Sequence, residues 1–419
     1  MSDSTAVPSQ DATSNGAPSI DALPAGVLQL KKNEEKRLSS GHLWVYSNEV
    51  DTQASPLKEL SPGQAVELRS STGKWLAHAY ANPQSLISAR ITSRNPKYPM
   101  SKSLLVHRIK VALGLRERFY PQPFYRLVFG ESDLLPGLIV DRFGDIAVVQ
   151  ITTAGMEVLK QEIIEALQKT IKSTGIVLRN DTGSRTLEGL DSYVENIGEV
   201  PDELVLSEGD TEFVIPMANG QKTGWFYDQR DNRQWLNPLV EGKTVIDACS
   251  YIGAWGVQAA KHGAERVICI DTSESALEYV AQNAQRNNVS DKVFTARGNA
   301  TEVLAGLKAD GESADIVVLD PPAFIKRKKD FRAGVKGYQK LNERGISLVK
   351  PDGLLVTCSC SYHMPVNEFR NMSNRAAVHV DRQMQIVYEN GQSRDHPVHP
   401  AMPETSYLKT IYTRVLARS

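Results

Sequence analysis

The segment Lys243-Thr244-Val245-Ile246-Asp247-Ala248-Cys249-Ser250-Tyr251-Ile252-Gly253-Ala254-Trp255-Gly256 sets the fold of the C-terminal half of the chain. Its first seven residues form a continuous apolar run of strand length, and the glycine-bearing turn leads into a helical pattern. The same rhythm repeats downstream. Arg266–Asp271 predicts a second strand, and Ser273 stands where it can cap a helix with the apolar face Leu277, Val280, Ala281 and Ala284. The stretches 292–296, 314–320 and 353–359 predict three more strands; 385–388 and 408–416 can supply a further two. Strict strand–helix alternation marks an α/β, doubly wound, Rossmann-like sheet.

In such a sheet, ligands bind beyond the carboxyl ends of the strands, where strand order reverses. Gly253 and Gly256 would let the backbone approach a ligand there. Asp271 closes the second strand, where a carboxylate can accept both hydroxyls of a ribose; helix capping is its alternative role. A phosphate-binding G-x-x-x-x-G-K-[ST] loop is missing, which disfavours phosphoryl transfer, and no full G-x-G-x-x-G follows the first strand. A nucleoside ligand without pyrophosphate fits better than a dinucleotide, and S-adenosylmethionine (SAM) is one. The fourth strand ends in Asp320-Pro321-Pro322-Ala323-Phe324, whose prolines stiffen the exit and hold the acid at the rim. The fifth ends in Thr357-Cys358-Ser359-Cys360-Ser361. A thiol and an acid facing one pocket suit covalent attack on an electrophilic ring. Cys358 shares a strand face with Leu354 and Val356 and reads as packing. Cys360 lies beyond the strand end and reads as functional.

N-terminal to this half, short alternating runs between Val27 and Ser93 suggest a small β-barrel, in which Trp44 and Tyr46 could either stack on bases or pack inside. A boundary falls in the proline-bearing stretch 95–100. The segment 98–200 mixes helices (101–120 and 156–171) with strands (125–129, 138–141, 146–151, 176–179) and reads as a central α+β domain; residues 201–419 form the sheet domain just described. Residues 1–26 hold no Lys or Arg and no apolar core segment, so they read as a disordered leader and not a targeting peptide. The chain has 419 residues and a net charge of -1, which excludes a uniformly basic coat but not a local basic surface. No apolar run approaches the roughly 18 residues of a membrane helix, so no membrane partner is expected. Four cysteines without Cys-x-x-Cys spacing fit a reducing, cytoplasmic compartment and no zinc site.

Between Lys326 and Lys340, seven basic residues (Lys326, Arg327, Lys328, Lys329, Arg332, Lys336, Lys340) stand against one acid, Asp330. The run starts right after the Asp320 loop, so phosphate contact with a nucleic acid is expected of it. His363, His396 and His399 make a metal site conceivable, but loop histidines between prolines are more often structural.

Two longer segments carry a family resemblance. Gly130-Glu131-Ser132-Asp133-Leu134-Leu135-Pro136-Gly137-Leu138-Ile139-Val140-Asp141-Arg142-Phe143-Gly144 and Lys222-Thr223-Gly224-Trp225-Phe226-Tyr227-Asp228-Gln229-Arg230 resemble the signatures of bacterial 23S ribosomal RNA cytosine-5 methyltransferases of the large-subunit methyltransferase I type. The two strand-end motifs resemble its later motifs, and the resemblance runs from about residue 27 to 417. It implies a PUA-type RNA-binding barrel at 27–97, a central domain, a SAM-dependent methyltransferase domain, and large-subunit ribosomal RNA as partner. The state between monomer and homodimer is left open. It places Lys222, Thr223, Gly224, Phe226, Asp228, Gln229, Arg230, Asp247, Ser250, Tyr251, Gly253, Asp271, Asn299, Asp320 and Pro321 around the cofactor, with no metal. It maps the nucleophile to Cys360, with Cys358 a minor candidate, and gives Asp320 the ring nitrogen 3 of cytosine. The chain departs from the family at Asn299, where an acid is usual, and in its first loop, where Cys249 replaces Phe and reads as packing. Methylation of guanine nitrogen 7, which needs no thiol, and a non-catalytic RNA-binding module are the competing readings.

Overall fold

The computed structural model of the chain describes residues 26–217 and 223–417. The expected leader, Gly26 apart, and Lys222 lie outside the described residues.

Five strands make the N-terminal sheet: β1 (Gly26–Gln29), β2 (Trp44–Tyr46), β3 (Ala65–Arg69), β4 (Trp75–Ala81) and β5 (Ile87–Ser93), in the order β1-β3-β4-β5-β2. Val66 and Leu68 turn inward while Glu67 and Arg69 turn outward and pair at 2.7 Å, the period of two that a half-buried strand requires. Ala77, Ala79, Ala81 and Ala89 line the inside with Leu28, Val45 and Ile91, and their small size lets the sheet curl tightly. Trp44 is committed to a neighbour: its indole N–H donates to Glu131 at 2.8 Å. Tyr46 lies under the Arg37 guanidinium, 4.8 Å from the ring centre.

The next sheet contains β6 (Phe124–Phe129), β7 (Leu138–Phe143), β8 (Ile146–Ile151), β9 (Gly175–Asn180) and β10 (Tyr193–Gly198), ordered β10-β9-β8-β7-β6. β8 and β9 run parallel and are bridged by the helix Lys160–Ile171, as a parallel pair demands. Alternation along β8 sends Ala147 and Val149 toward this helix and the helix Lys102–Phe119. Ile146 and Val148 point the other way, into a core shared with Phe213, Trp225 and Tyr227 of the C-terminal half. The helix expected over 156–171 is broken at Leu159 into Ala154–Val158 and Lys160–Ile171. β10 has no counterpart among the expected strands; it is an edge strand with no buried residue, so its sequence lacks an apolar stripe.

The first long signature is a junction. Its Asp133 grips Arg116 through two bonds of 2.6 and 2.7 Å, Asp141 grips Arg126 through two of 2.8 Å, and Glu131 holds Trp44 of the barrel. Gly137 (φ 81) is required there, since a Cβ would lie 2.2 Å from Thr153 Oγ1.

A hairpin, β11 (Glu203–Glu208) and β12 (Thr211–Pro216), leads to the large sheet: β13 (Thr244–Ala248), β14 (Arg266–Asp271), β15 (Val293–Arg297), β16 (Ala314–Leu319), β17 (Val349–Ser359), β18 (Arg382–Asn390) and β19 (Lys409–Ala417). Its order is β15-β14-β13-β16-β17-β19-β18. β13 to β17 are parallel to one another, and β19 runs antiparallel between β17 and β18. The chain steps outward from β13 to β15 and then crosses to β16 on the far side of β13. Order therefore reverses between β13 and β16, and a crevice opens at their carboxyl ends. Ser273 caps the helix Glu274–Arg286, accepting from Ala276 N at 3.2 Å. Its buried stripe is Ala276, Leu277, Val280, Asn283 and Ala284; Ala281, expected on it, is exposed. The hairpin packs against that flank, with Val214 N–H donating to Asn283 at 2.7 Å while the Asn283 amide donates to Ile252 O at 3.0 Å.

Candidate active site

The loop after β13 is held in unusual backbone geometry. Cys249 (φ 65), Tyr251 (φ 50) and Gly253 (φ 86) are all left-handed. Asp271, at the end of β14, stabilises this turn by accepting from Tyr251 N and Ser273 N, both at 2.9 Å. It is thus a cap as well as a strand-end acid, and each oxygen keeps a second lone pair. Both glycines also serve packing. Gly256 lies inside the helix Ala254–Lys261, where a Cβ would come 2.4 Å from Cys269 Sγ; a Cβ on Gly253 would come 2.9 Å from Val257. Gly256 N–H donates to Asp247 at 2.9 Å. The other Asp247 oxygen is buried without a partner, and burial above all pushes this carboxyl up to about 7. Ser250 N–H donates to Ile270 O at 3.0 Å, tying the loop to β14. Asn299 caps the helix Ala300–Ala309, its Oδ1 accepting from Thr301 N at 3.0 Å. Cys249 sits among Asp271, Asp320 and Asp247, and burial first pushes its thiol up to about 12, which disfavours the thiolate there.

Across the crevice, Asp320 follows β16, with its N–H on Ala248 O at 3.2 Å and Pro321 buried behind it. One carboxylate oxygen accepts from Gln229 Nε2 at 3.0 Å and the other from Trp255 Nε1 at 3.1 Å. Burial, with nearby Asp228 adding to it, outweighs these donors and raises the carboxyl to about 6. Gln229 is itself fixed by Asn232, which donates to its Oε1 at 2.7 Å. Trp255 and Asn232 join the site without having been expected there. The signal for Trp255 is the Trp in the Gly-Ala-Trp-Gly loop, a donor at the start of the helix.

The register places Leu319 opposite Thr357, so Cys360 stands on the next strand about two residues beyond the level of Asp320. The two cysteines of this strand end part company. Cys358 is fully buried in the core, burial raises its thiol far above the ordinary range, and Thr410 Oγ1 lies 3.5 Å from its sulfur. Cys360 is half-exposed, and none of the four cysteines is in a disulfide. Beside Cys360, Lys409 opens β19 and donates to Ser361 O at 2.6 Å and to Tyr407 O at 2.7 Å. Burial pulls its ammonium down to about 8, against the opposite pull of Cys360. Nothing in the sequence marks Lys409: it is one lysine at the start of a β-strand.

The second signature is mostly wiring. Thr223 is buried, and Gly224 (φ 105) offers its carbonyl to Tyr251 Oη at 3.3 Å. Phe226 packs edge-on against Tyr251 with centres 5.6 Å apart. Asp228 accepts from Tyr407 Oη at 2.5 Å. Arg230 is buried between Tyr120 and Tyr227, donating to Phe124 O and lying 3.5 Å from Glu208. Glu208 also takes two bonds from Arg233, at 2.6 and 2.7 Å, which hold it down to about 2 despite its burial.

The basic run lies on the solvent side of its loop and helix. In the helix Phe331–Leu348, Tyr338 is buried and its hydroxyl meets Ser361 Oγ at 2.9 Å, directly after Cys360. Lys326, Arg327, Lys328, Lys329, Arg332, Lys336 and Lys340 are all exposed, and Arg327 pairs with Asp330 at 3.1 Å. The histidines do not converge: His396 bonds Asp395 at 2.8 Å, His399 accepts from Ala401 N at 3.2 Å, and His363 packs on Tyr362. Among the described residues no group of three or more His, Cys, Asp or Glu side chains could hold a metal, and no helix is long and apolar enough to cross a membrane.

Strand order, acids at the carboxyl ends of β13, β14 and β16, and a crevice at the point of reversal define a class I, SAM-dependent methyltransferase. The architecture matches a Streptococcus mutans protein described as a SAM-dependent methyltransferase (TM-score 0.78, 20% identity, 93% of this chain and 100% of that one). It also matches SMU.776, described as a methyltransferase complexed with SAH (TM-score 0.79, 21% identity, 93% of this chain and 100% of that one). Residues 28–94 match the PUA-like domain family, and residues 230–377 the family described as conserved hypothetical protein 95. The ribosomal RNA large subunit methyltransferase I of Erwinia tasmaniensis is 34% identical over 395 residues, covering 93% of this chain and 99% of that protein. The chain belongs to the ribosomal RNA large subunit methyltransferase I family.

Proposed function

We propose that the protein transfers a methyl group from SAM to carbon 5 of a cytosine in large-subunit ribosomal RNA. The observation that carries this reading is a partly exposed Cys360 just past the end of β17, about two residues beyond the level of Asp320 and beside the partly buried Lys409. The acceptors around the β13 loop suit SAM: Asp271 can take ribose hydroxyls, and the unpartnered Asp247 oxygen would be satisfied by the cofactor's ammonium group. When bound, SAM supplies an electrophilic methyl group.

Carbon 5 of cytosine is a poor nucleophile, which is why a thiol is needed. The Cys360 thiolate forms a bond to carbon 6, and the ring electrons shift toward carbon 5, which takes the methyl as its bond to the donor's sulfonium sulfur breaks and a neutral thioether is left. Asp320, with its raised carboxyl, carries a proton for nitrogen 3 over the range in which it titrates. Loss of the carbon-5 proton returns the electron pair and breaks the S–C6 bond, regenerating the thiolate. The Lys409 ammonium, anchored on carbonyls close to Cys360, favours the thiolate by its charge. The exposed basic face after the Asp320 loop offers phosphate contacts beside this chemistry.

Cys360→Ala is expected to abolish methyl incorporation into ribosomal RNA, a loss of about 1,000-fold or more, while SAM binding by calorimetry is unchanged. RNA carrying 5-fluorocytosine, which cannot lose a proton from carbon 5, should trap a covalent complex with the wild-type enzyme. Full turnover by the alanine variant would overturn the cytosine reading in favour of a thiol-free methylation.

A further inference from the structure

At the barrel–central junction lies a groove of about 1390 Å³ that the proposed chemistry does not use. It runs between the segment following β5 and one face of the helix Lys102–Phe119. The other face of this helix, bearing Leu105, Ile109 and Arg116, is buried against the central sheet. The groove has an apolar floor, and large apolar side chains stay uncovered on it: Tyr98 is 59% exposed, Val111 62% and Leu134 43%. Its rim is cationic, with Arg94, Lys97, Arg108, Lys110 and Arg118. The one acid in the wall, Asp133, is consumed by its two bonds to Arg116. Arg108 donates to Leu134 O and not to a carboxylate, and burial without a counterion lowers its guanidinium to about 10. No ion pair ties up any of the five rim cations among the described residues, so the rim is complementary to a polyanion.

Gly114 adds a second kind of observation. It lies within the helix and lines the groove, where a Cβ would meet nothing within 4 Å. Packing therefore does not call for a glycine that costs the helix about 1 kcal/mol relative to alanine, whereas close approach of a ligand to the backbone does. A run of packed rings leads from the groove wall toward the crevice. Pro397 lines the groove, and the adjacent His396 ring lies 5.1 Å from Phe129; Phe129 in turn lies 6.1 Å from Tyr407, two residues from Lys409.

We infer that this groove binds a single-stranded stretch of the RNA substrate outside the target nucleotide, bases on the apolar floor and phosphates on the cationic rim. This rests on the RNA reading above and adds a second binding surface, separate from the basic face after the Asp320 loop. Base stacking on Tyr98 and phosphate neutralisation at the rim are the means by which proteins hold single strands with little sequence preference.

The test uses the full-length protein and a single-stranded RNA of about 12 nucleotides. Among the described residues Lys97, Lys110 and Arg118 have no side-chain hydrogen bond or ion pair, so their joint replacement by Gln should leave folding intact. Binding should weaken about tenfold at ~0.1 M salt, and the slope of log affinity against log salt should fall by about 2, or ~0.7 for each phosphate that is no longer neutralised. Gly114→Leu, which favours the helix, should raise the melting temperature and yet weaken the same binding. SAM affinity should be unchanged in both variants. Wild-type affinity and salt slope in both variants of an enzyme that methylates ribosomal RNA would overturn the groove alone. Failure of the wild-type protein to bind or methylate RNA would overturn the parent reading and the groove with it.

Discussion

At the end of β14, Asp271 is fixed by two backbone N–H groups, one of them only two residues away; at the end of β16, Asp320 is fixed by two side chains from distant parts of the chain. The first edge of the crevice is built mainly from backbone groups of two neighbouring strand ends. A turn, a cap and a helix that approaches the sheet through Gly256 put its acids in place. The second edge is assembled by the tertiary fold, with Gln229 from the second signature, Trp255 from the β13 loop and Lys409 from β19. A backbone-built edge suits a ligand held by fixed acceptors. A tertiary edge lets burial and neighbouring charge tune groups that must change protonation, as acid, base and nucleophile chemistry requires.

Three variants sharpen this contrast. Asp320→Asn is expected to lower kcat about 100-fold. Because the wild-type carboxyl is raised to about 6, its donor form is present below that pH and lost above it. The limb of the kcat/KM profile with an apparent pKa near 6 should therefore vanish in Asp320→Asn, and an unchanged profile would remove Asp320 from the chemistry. Lys409→Met should slow alkylation of Cys360 by iodoacetamide about tenfold at pH 7, since a cation beside a thiol promotes its ionisation. Lys409→Arg should restore the rate. In the wild type the assistance should fade as pH rises through about 8, where Lys409 loses its charge, and in the arginine variant it should persist.

The smallest effect belongs to the first edge. The Asp247 carboxyl is raised to about 7 in the fold from an ordinary value of 3.8, so the folded state favours its protonated form. Wild-type stability should therefore decline as pH rises from about 4 to about 7. Asp247→Asn should be more stable than wild type at pH 8 by roughly 2 kcal/mol, with the gain gone at pH 4, and should bind SAM more weakly. Equal urea midpoints for the two proteins at both pH values would show that this buried acid carries no such cost.

The strands of the large sheet are readable because each is a short apolar run between turn residues, and the cap at Ser273 because its side chain acts within its own turn. The cysteines separate on the same ground, Cys358 inside the strand pattern and Cys360 past it. Asn283 is buried and Ala281 exposed because the hairpin, not the helix, decides which flank is covered. The glycines of the β13 loop are legible as special positions but not as packing contacts, since the Cys269 sulfur that fills the space above Gly256 comes from another strand. Much of the second signature is interior wiring, with Arg230 and Asp228 turned toward Phe124 and Tyr407.

The chain's sequence by itself determined the alternation of strands and helices, the acids and the thiol at the strand ends, and the basic run after Asp320, because periodicity, turn chemistry and charge are properties of neighbouring residues. The tertiary structure alone decided which donors hold Asp320, that Lys409 stands beside Cys360, and that five cations ring an apolar groove. Those arrangements join residues far apart in the chain, and burial, which sets their protonation and their reach, exists only once the chain has folded.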